Sequence, residues 1–315
     1  MIVTSPTYEG VVSDISAIAA ITHEYSIPLF VDEAHGAHLG LSEHFPVNSI
    51  KAGADIVVHG LHKTLPAPTQ SALLHINNSI VDWTEVQRQL AVFQTSSPSY
   101  ILMAGIDSCI ELLVRERDRL FADYDKRLND FYDRMRELEN IRILSSGNTF
   151  FSFDKGKILI SVKNTDINGT QLKRALLDKY LLQLEMAMGD YALAMTSICD
   201  TDEGFLRLGG ALLEIDATLN KVPEDENGNV PFGTPEVVMP SYEAESREGR
   251  FIPLSDSKNA VSREYIYAYP PGIPLLVPGE RITERLISSI NGLFAEGVPV
   301  KSCFLRLPEQ INIVL

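Results

Sequence analysis

The sequence predicts an α/β fold, a parallel-sheet domain followed by a smaller α/β domain, on three observations. Pro28-Leu29-Phe30-Val31 and Asp55-Ile56-Val57-Val58 are short strand-type runs without polar alternation, as expected where a parallel sheet is buried on both faces. Residues 13–25 place Ile15, Ile18 and Ala19 on one helical face, between an opening run at 1–4 and the run at 28–31. Strand, helix and strand in that order make a βαβ unit. Both runs also pass directly into residues able to do chemistry, Asp32-Glu33-Ala34-His35-Gly36-Ala37-His38 and Leu61-His62-Lys63-Thr64-Leu65-Pro66. In α/β proteins ligands bind at the carboxyl ends of the strands.

The elements follow in order. Residues 1–4 form a strand, Asp14 starts the helix of 13–25, and strands follow at 28–31, 55–59 and 70–76. A helix begins near Val81, with Trp83, Val86, Leu90 and Phe93 three and four residues apart. Ser97-Pro98 is a helix start, because serine caps and proline is tolerated in the first turn. From there to about Glu139 the chain is helical, with Gly105 its one helix-breaking residue type and Arg115 to Arg119 the place for a bend. Strands are expected near 149–153, 157–162 and 192–198, and helices near 170–182 and 202–218. Six prolines and glycines, from Pro223 to Pro240, make 219–240 a linker or surface loop. A strand around Tyr265-Ile266-Tyr267 and a helix near 280–296 close the chain. The expected organisation is 1–125 with a bridging helix, 126–218 as the smaller α/β domain, the 219–240 linker and a C-terminal region at 241–315.

Composition excludes several classes. The 315 residues are 45% hydrophobic and 22% charged, ordinary for a globular protein. A net charge of −15 argues against nucleic acid as a partner, since such binders present a basic face. Cys109, Cys199 and Cys303 are odd in number and far apart, so reduced thiols in the cytoplasm are expected. No apolar run approaches the ~20 residues of a membrane span, and no basic segment with an apolar core opens the chain.

An acid just past one strand and a lysine just past a neighbouring one can face each other across one crevice. That arrangement suits pyridoxal 5'-phosphate (PLP), which needs a lysine amine for its Schiff base and a carboxylate for its pyridinium nitrogen. Around these residues stand Ser5-Pro6-Thr7-Tyr8-Glu9-Gly10, VDEAHGAHLG, HGLHKTLPAPTQ and Thr95-Ser96-Ser97-Pro98-Ser99-Tyr100, with Tyr269-Pro270-Pro271-Gly272-Ile273-Pro274 and Pro278-Gly279-Glu280 far downstream. In this text the chain resembles the Orn/Lys/Arg decarboxylases, PLP-dependent enzymes of fold type I.

The resemblance implies a fold type I large domain, represented in part, with a smaller α/β domain after it. It implies decarboxylation of arginine, lysine or ornithine in a homodimer or larger assembly. Lys63 would form the Schiff base; alone it would read as a loop lysine. Asp32 would pair with the pyridine nitrogen, where otherwise it would cap a helix. His35 would contact the ring hydroxyl, and His62 would donate a hydrogen bond to the phosphate. Ser96 would reach the cofactor phosphate of a neighbouring subunit, unless the segment only caps a helix. Glu280 would recognise the cationic end of the substrate, or cap the helix that follows. Glu33 and His38 read as structural. The family's phosphate loop and ring-stacking histidine are expected before Met1, so the chain is expected to start in mid-domain.

Other readings are weaker. His35 and His38 have an H-x-x-H spacing but no third metal ligand is marked. Asp32-Glu33-Ala34-His35 also matches the Walker B text of DEAH helicases, but no G-x-x-x-x-G-K-[ST] loop precedes it. A truncated non-catalytic homologue and a fold type I aminotransferase remain as alternatives, the latter disfavoured by the PGIP and PGE text.

Overall fold

The protein is described as a computed structural model over residues 1–77, 80–144, 150–223, 235–269, 272–295 and 297–315. It has two compact units, Met1–Ser161 with Leu193–Thr218, and Val162–Ala192 with Leu219–Leu315.

The first unit opens with β1 (Ile2–Thr4), β2 (Val11–Val12) and α1 (Ile15–Glu24), followed by β3 (Phe30–Asp32), β4 (Ile56–Gly60), α2 (Leu61–Thr64) and β5 (Ala72–Ile76). The sheet order is β1-β3-β4-β5. β1, β3 and β4 are parallel and β5 is an antiparallel edge. The expected βαβ unit is present, and its helix is capped by Asp14, whose carboxylate accepts from the Ala17 N–H at 3.0 Å. Register explains which residues face where. Val31 lies opposite Val57, and both are fully buried with Ile15, Ala19, Leu29 and Ala54. Alternation along a strand then sends Asp32 and its partner Val58 to the other face.

α3 (Trp83–Phe93) and α4 (Tyr100–Arg134) follow. The cap of α4 is Ser99, which accepts from Leu102 N–H at 3.4 Å, so the helix starts two residues beyond the expected Ser97. No break occurs at Arg115 to Arg119; pairs of Arg115 with Glu111 and of Arg119 with Glu116 and Asp123, three or four residues apart, carry the helix through. Gly105 lets the Pro68 ring pass where a Cβ would collide with it.

β6 (Arg142–Ile143), β7 (Ser152–Phe153) and β8 (Lys157–Ser161) come next. β6 pairs with β8 and β7 with β2, both antiparallel. The expected strand at 149–153 is seen as β7; residues 145–149 lie outside the described residues. Further on are α5 (Gly169–Tyr180), β9 (Met186–Met188), β10 (Tyr191–Met195) and α6 (Asp202–Asp216). β10 stops short of 198, where Ser197 N–H turns to donate to the Asp200 carboxylate at 2.7 Å. At the end of α6 the buried Asp216 carboxylate accepts from the backbone N–H groups of Glu139, Asn140 and Ile141.

The second unit, which holds α5 and β9, adds α7 (Ser241–Ser246), β11 (Gly249–Pro253), β12 (Ile266–Ala268), β13 (Ile273–Leu276), α8 (Glu284–Ala295), β14 (Val300–Ser302) and β15 (Gln310–Val314). β11 pairs with β15, and β12 lies between β13 and β14. Ile266, Leu276, Ile282, Ile290 and Ile311 form its core. The expected helix at 280–296 starts later, at Glu284, because Val261 and Arg281 form a β-bridge ahead of it. Gly279 makes the preceding turn at φ +92°, where a Cβ would strike the Met239 carbonyl. Much of the expected linker, residues 224–234, lies outside the described residues.

Candidate active site

The strand ends of β3 and β4 are adjacent, so Asp32 and the segment leading to Lys63 begin side by side. Glu33 N–H donates to Val58 O and Gly60 N–H to Ala34 O, tying the two segments past the sheet. Gly60 then starts α2. A Cβ on Gly60 would lie 2.9 Å from Ala34 O and 3.2 Å from Lys63 Cδ, so Lys63 folds back over Gly60 toward Ala34. Lys63 is half-buried, and among the described residues its ammonium makes no hydrogen bond or ion pair.

Asp32 is also half-buried, and its Oδ1 accepts from the Ala34 N–H at 3.1 Å. His62 Nδ1 lies 2.9 Å from Ser71 O. A carbonyl only accepts, so the proton sits on Nδ1, and neutral His62 offers a lone pair at Nε2. Donation to a phosphate from that nitrogen requires the imidazolium.

His35 Nδ1 lies 2.9 Å from Lys157 Nζ, and its ring centroid is 4.5 Å from that of Tyr8. Burial first, then the Lys157 and Lys63 charges, lower its pKa to about 3, against the opposing pull of Asp154. His38 has a different partner: its Nε2 is 3.1 Å from Asp154 Oδ1. The two histidines of the H-x-x-H text thus serve separate contacts.

Behind the crevice, on the face of Val31 and Val57, a polar chain is buried. Glu33 accepts from Ser49 Oγ at 2.7 Å, from the Ser49 N–H at 3.0 Å and from His59 Nε2 at 2.7 Å. His59 Nδ1 in turn lies 3.1 Å from His75 Nε2. Burial first, then His59, hold the His75 pKa below its usual value, with Glu33 opposing.

Ser96 lies in an exposed run from Ala91 to Tyr100, and among the described residues nothing brings it to Lys63. Glu280 belongs to the second unit, where its carboxylate accepts from the Val277 N–H at 2.9 Å and closes the Pro278-Gly279 turn. Sequence reasoning passed over Lys157, Asp154, His59, His75 and Ser49. Tyr8 stood inside a noticed motif, but Lys157 lies in ordinary strand text with no local signal.

The two depressed histidines have a consequence for stability. An unfolded histidine takes up a proton below ~6.5. Folded His35 does so only near 3, so between these values the unfolded state binds more protons and stability falls as pH falls. Each such group contributes at most ~1.4 kcal/mol per pH unit, less for half-exposed rings. The urea midpoint is therefore expected to correspond to a loss of about 1–2 kcal/mol between pH 7 and pH 5. An unchanged midpoint would count against neutral, buried imidazoles.

Comparison with known proteins gives concordant results. Residues 1–161 match the family described as Orn/Lys/Arg decarboxylase, major domain, and residues 233–293 match the C-terminal domain of the same family. The chain is 31% identical over 307 residues to arginine decarboxylase of Bacillus subtilis, covering 96% of this chain and 63% of that protein. It is 28% identical over 320 residues to arginine decarboxylase of Bacillus anthracis, covering 99% and 64%. The chain thus spans just under two thirds of the length of these relatives. Among solved structures it superposes on the lysine decarboxylase of Francisella novicida with a TM-score of 0.76 at 17% identity, over all of this chain and 57% of that one. Lysine decarboxylase A of Pseudomonas aeruginosa gives 0.74 at 18%, over 100% and 57%. The fold is the α/β architecture of fold type I PLP-dependent enzymes.

Proposed function

We propose, for a chain that belongs to the Orn/Lys/Arg decarboxylase family, that it carries the Schiff-base lysine of a PLP-dependent decarboxylase acting on a basic amino acid, arginine first among the three. The observation carrying this reading is that Asp32 ends β3 opposite Val58 of β4 while Lys63 follows β4 in α2, folded over Gly60 with its amine unengaged within the described residues. Arginine is put first because relatives near 30% identity bear that name.

The donor set fits PLP: an amine with no partner among the described residues, a half-buried carboxylate with one oxygen engaged, and two imidazoles in the segments that follow β3 and β4. When bound, PLP supplies an electron sink for the carbanion left as carbon dioxide departs. Lys63 would hold its aldehyde carbon and yield to the substrate amine. Asp32 would keep the proton on the pyridine nitrogen, His35 would donate from Nε2 to the ring oxygen, and His62 would face the phosphate. In balance, the substrate carboxylate leaves as carbon dioxide and a proton takes its place on the α-carbon.

The test is carbon dioxide release from carboxyl-labelled arginine, lysine and ornithine with PLP present. The expected outcome is release from arginine with kcat/KM at least ~10-fold above the other two, since a site built to hydrogen-bond a polar group rejects substrates lacking it. Lys63-dependent PLP binding without release from any of the three would instead favour the non-catalytic homologue. Amino transfer to a 2-oxo acid would favour the aminotransferase.

A second copy of the chain is the proposed partner. Support comes from α3, which buries none of its residues, and from apolar side chains left exposed on it and at the start of α4, with Phe93 86% and Ile101 82% exposed. Exposed apolar groups of this kind mark association surfaces, and Ser96 lies in the exposed segment that joins the two helices. Sedimentation velocity should show a concentration-dependent dimer, and a monomer at all concentrations would remove the proposal. No helix among the described residues is long and apolar enough to cross a membrane. Free Cys109, Cys199 and Cys303 support the cytoplasm as the proposed location.

A further inference from the structure

Lys157, at the start of β8, is only 1% exposed, yet its Nζ reaches His35 Nδ1 across 122 residues of sequence. Its stem crosses the backbone of Gly10, where a Cβ would lie 2.8 Å from Lys157 Cβ and Cγ. Gly10 has φ +107°, a conformation suited to glycine. The ammonium stands 5.8 Å from the centroid of the Tyr8 ring, against which His35 also packs. The charged groups felt by His35 are Lys157, Lys63, Asp154 and His62.

An ammonium has three donors and no lone pair. Nδ1 of His35 must therefore be the acceptor, which puts the imidazole proton on Nε2. Among the described residues that Nε2 takes no hydrogen bond, so a donor is fixed and left open beside Lys63. We propose that Lys157 is a positioning residue that locks His35 in its Nε2–H tautomer, giving the Asp32–Lys63 crevice a permanent hydrogen-bond donor for an anionic oxygen. The identity of that oxygen, the ring oxygen of PLP, rests on the function proposed above; the lock itself does not. A cation one imidazole behind the ring oxygen also favours its negative charge, and so lowers the pKa of the neighbouring Schiff-base nitrogen.

The experiment is long-range 1H–15N correlation of the histidine rings in the full chain, with His35→Gln to assign the signal. Wild type should show the Nε2–H tautomer, not titrating between pH 5 and pH 8. The Nδ1–H tautomer, or a ring that titrates in that window, overturns the proposal without any variant. Lys157→Met should release the ring to a mixture of tautomers that titrates; a ring still locked in this variant also overturns it. Lys157→Arg, a side chain with donors only, should keep the lock, which separates hydrogen bonding from packing. If Lys157→Met fails to fold, wild type and Lys157→Arg decide.

PLP is then added and its visible absorbance followed with pH. The midpoint should rise by about one pH unit in Lys157→Met, the size expected on losing one nearby charge. Bound PLP with an unmoved midpoint overturns the action on the cofactor. No absorbance change with PLP in a wild type whose tautomer is locked supports the lock and overturns the assigned acceptor, a failure of the proposed function.

Discussion

Lys63→Ala will abolish the visible band that PLP forms with the wild-type chain and reduce decarboxylation by about 10⁴–10⁶-fold, the range found when a covalent nucleophile is removed. The side chain lies over Gly60, half-buried, with no hydrogen bond or ion pair among the described residues. Removing it therefore leaves no buried donor or acceptor stranded, and the unfolding free energy should change by less than about 1 kcal/mol. Lys63→Arg should behave alike, because a guanidinium keeps the charge but does not lose its proton. The measurements are a PLP absorbance titration and a urea melt on each variant. A persistent Schiff-base band in Lys63→Ala would move the covalent role to another amine, and Lys157 would be the first to examine.

Glu33→Ala should cost about 3–5 kcal/mol, since each buried donor left without its acceptor costs about 1–3 kcal/mol. Glu33 is 1% exposed and serves both the N–H and the hydroxyl of Ser49 as well as His59 Nε2. All three donors would be left unpaired. Glu33→Gln should cost less, about 1–2 kcal/mol, because the chain can reverse. The amide oxygen can serve Ser49 while its NH₂ faces His59. His59 then carries its proton on Nδ1 and donates to His75 Nε2. Urea unfolding of both variants tests the ranking, and histidine ring signals test the reversal. Equal losses in the two variants would mean that packing volume, and not the donor pattern, sets the stability here.

The network also shows where local reading ends. Glu33 reads from its position as structural, and the structure gives it the partners that make it so. His59 and His75, by contrast, sit on neighbouring antiparallel strands with registers Val57 to His75 and His59 to Leu73. Their pairing depends on that alignment, and nothing within either strand announces it. The cap of α4 shows a smaller limit. Ser97 and Ser99 both suit a helix start by residue type, and only the backbone path after Pro98 selects Ser99.

By itself the sequence determined the βαβ opening, the strand end that bears Asp32 and the one that leads to Lys63, and the helices that became α3 and α4. Each of these is written in residues a few positions apart, because strand burial, helical spacing and strand-end chemistry act over one or two turns. Tertiary structure alone decided that Lys157 meets His35 and that Asp154 takes His38. It also decided that His62 spends its Nδ1 proton on Ser71 and that Glu280 closes a turn of its own. The His35 and His38 contacts join residues more than a hundred positions apart. The shorter two turn on which lone pair faces which donor, and that is settled only when the backbone is in place.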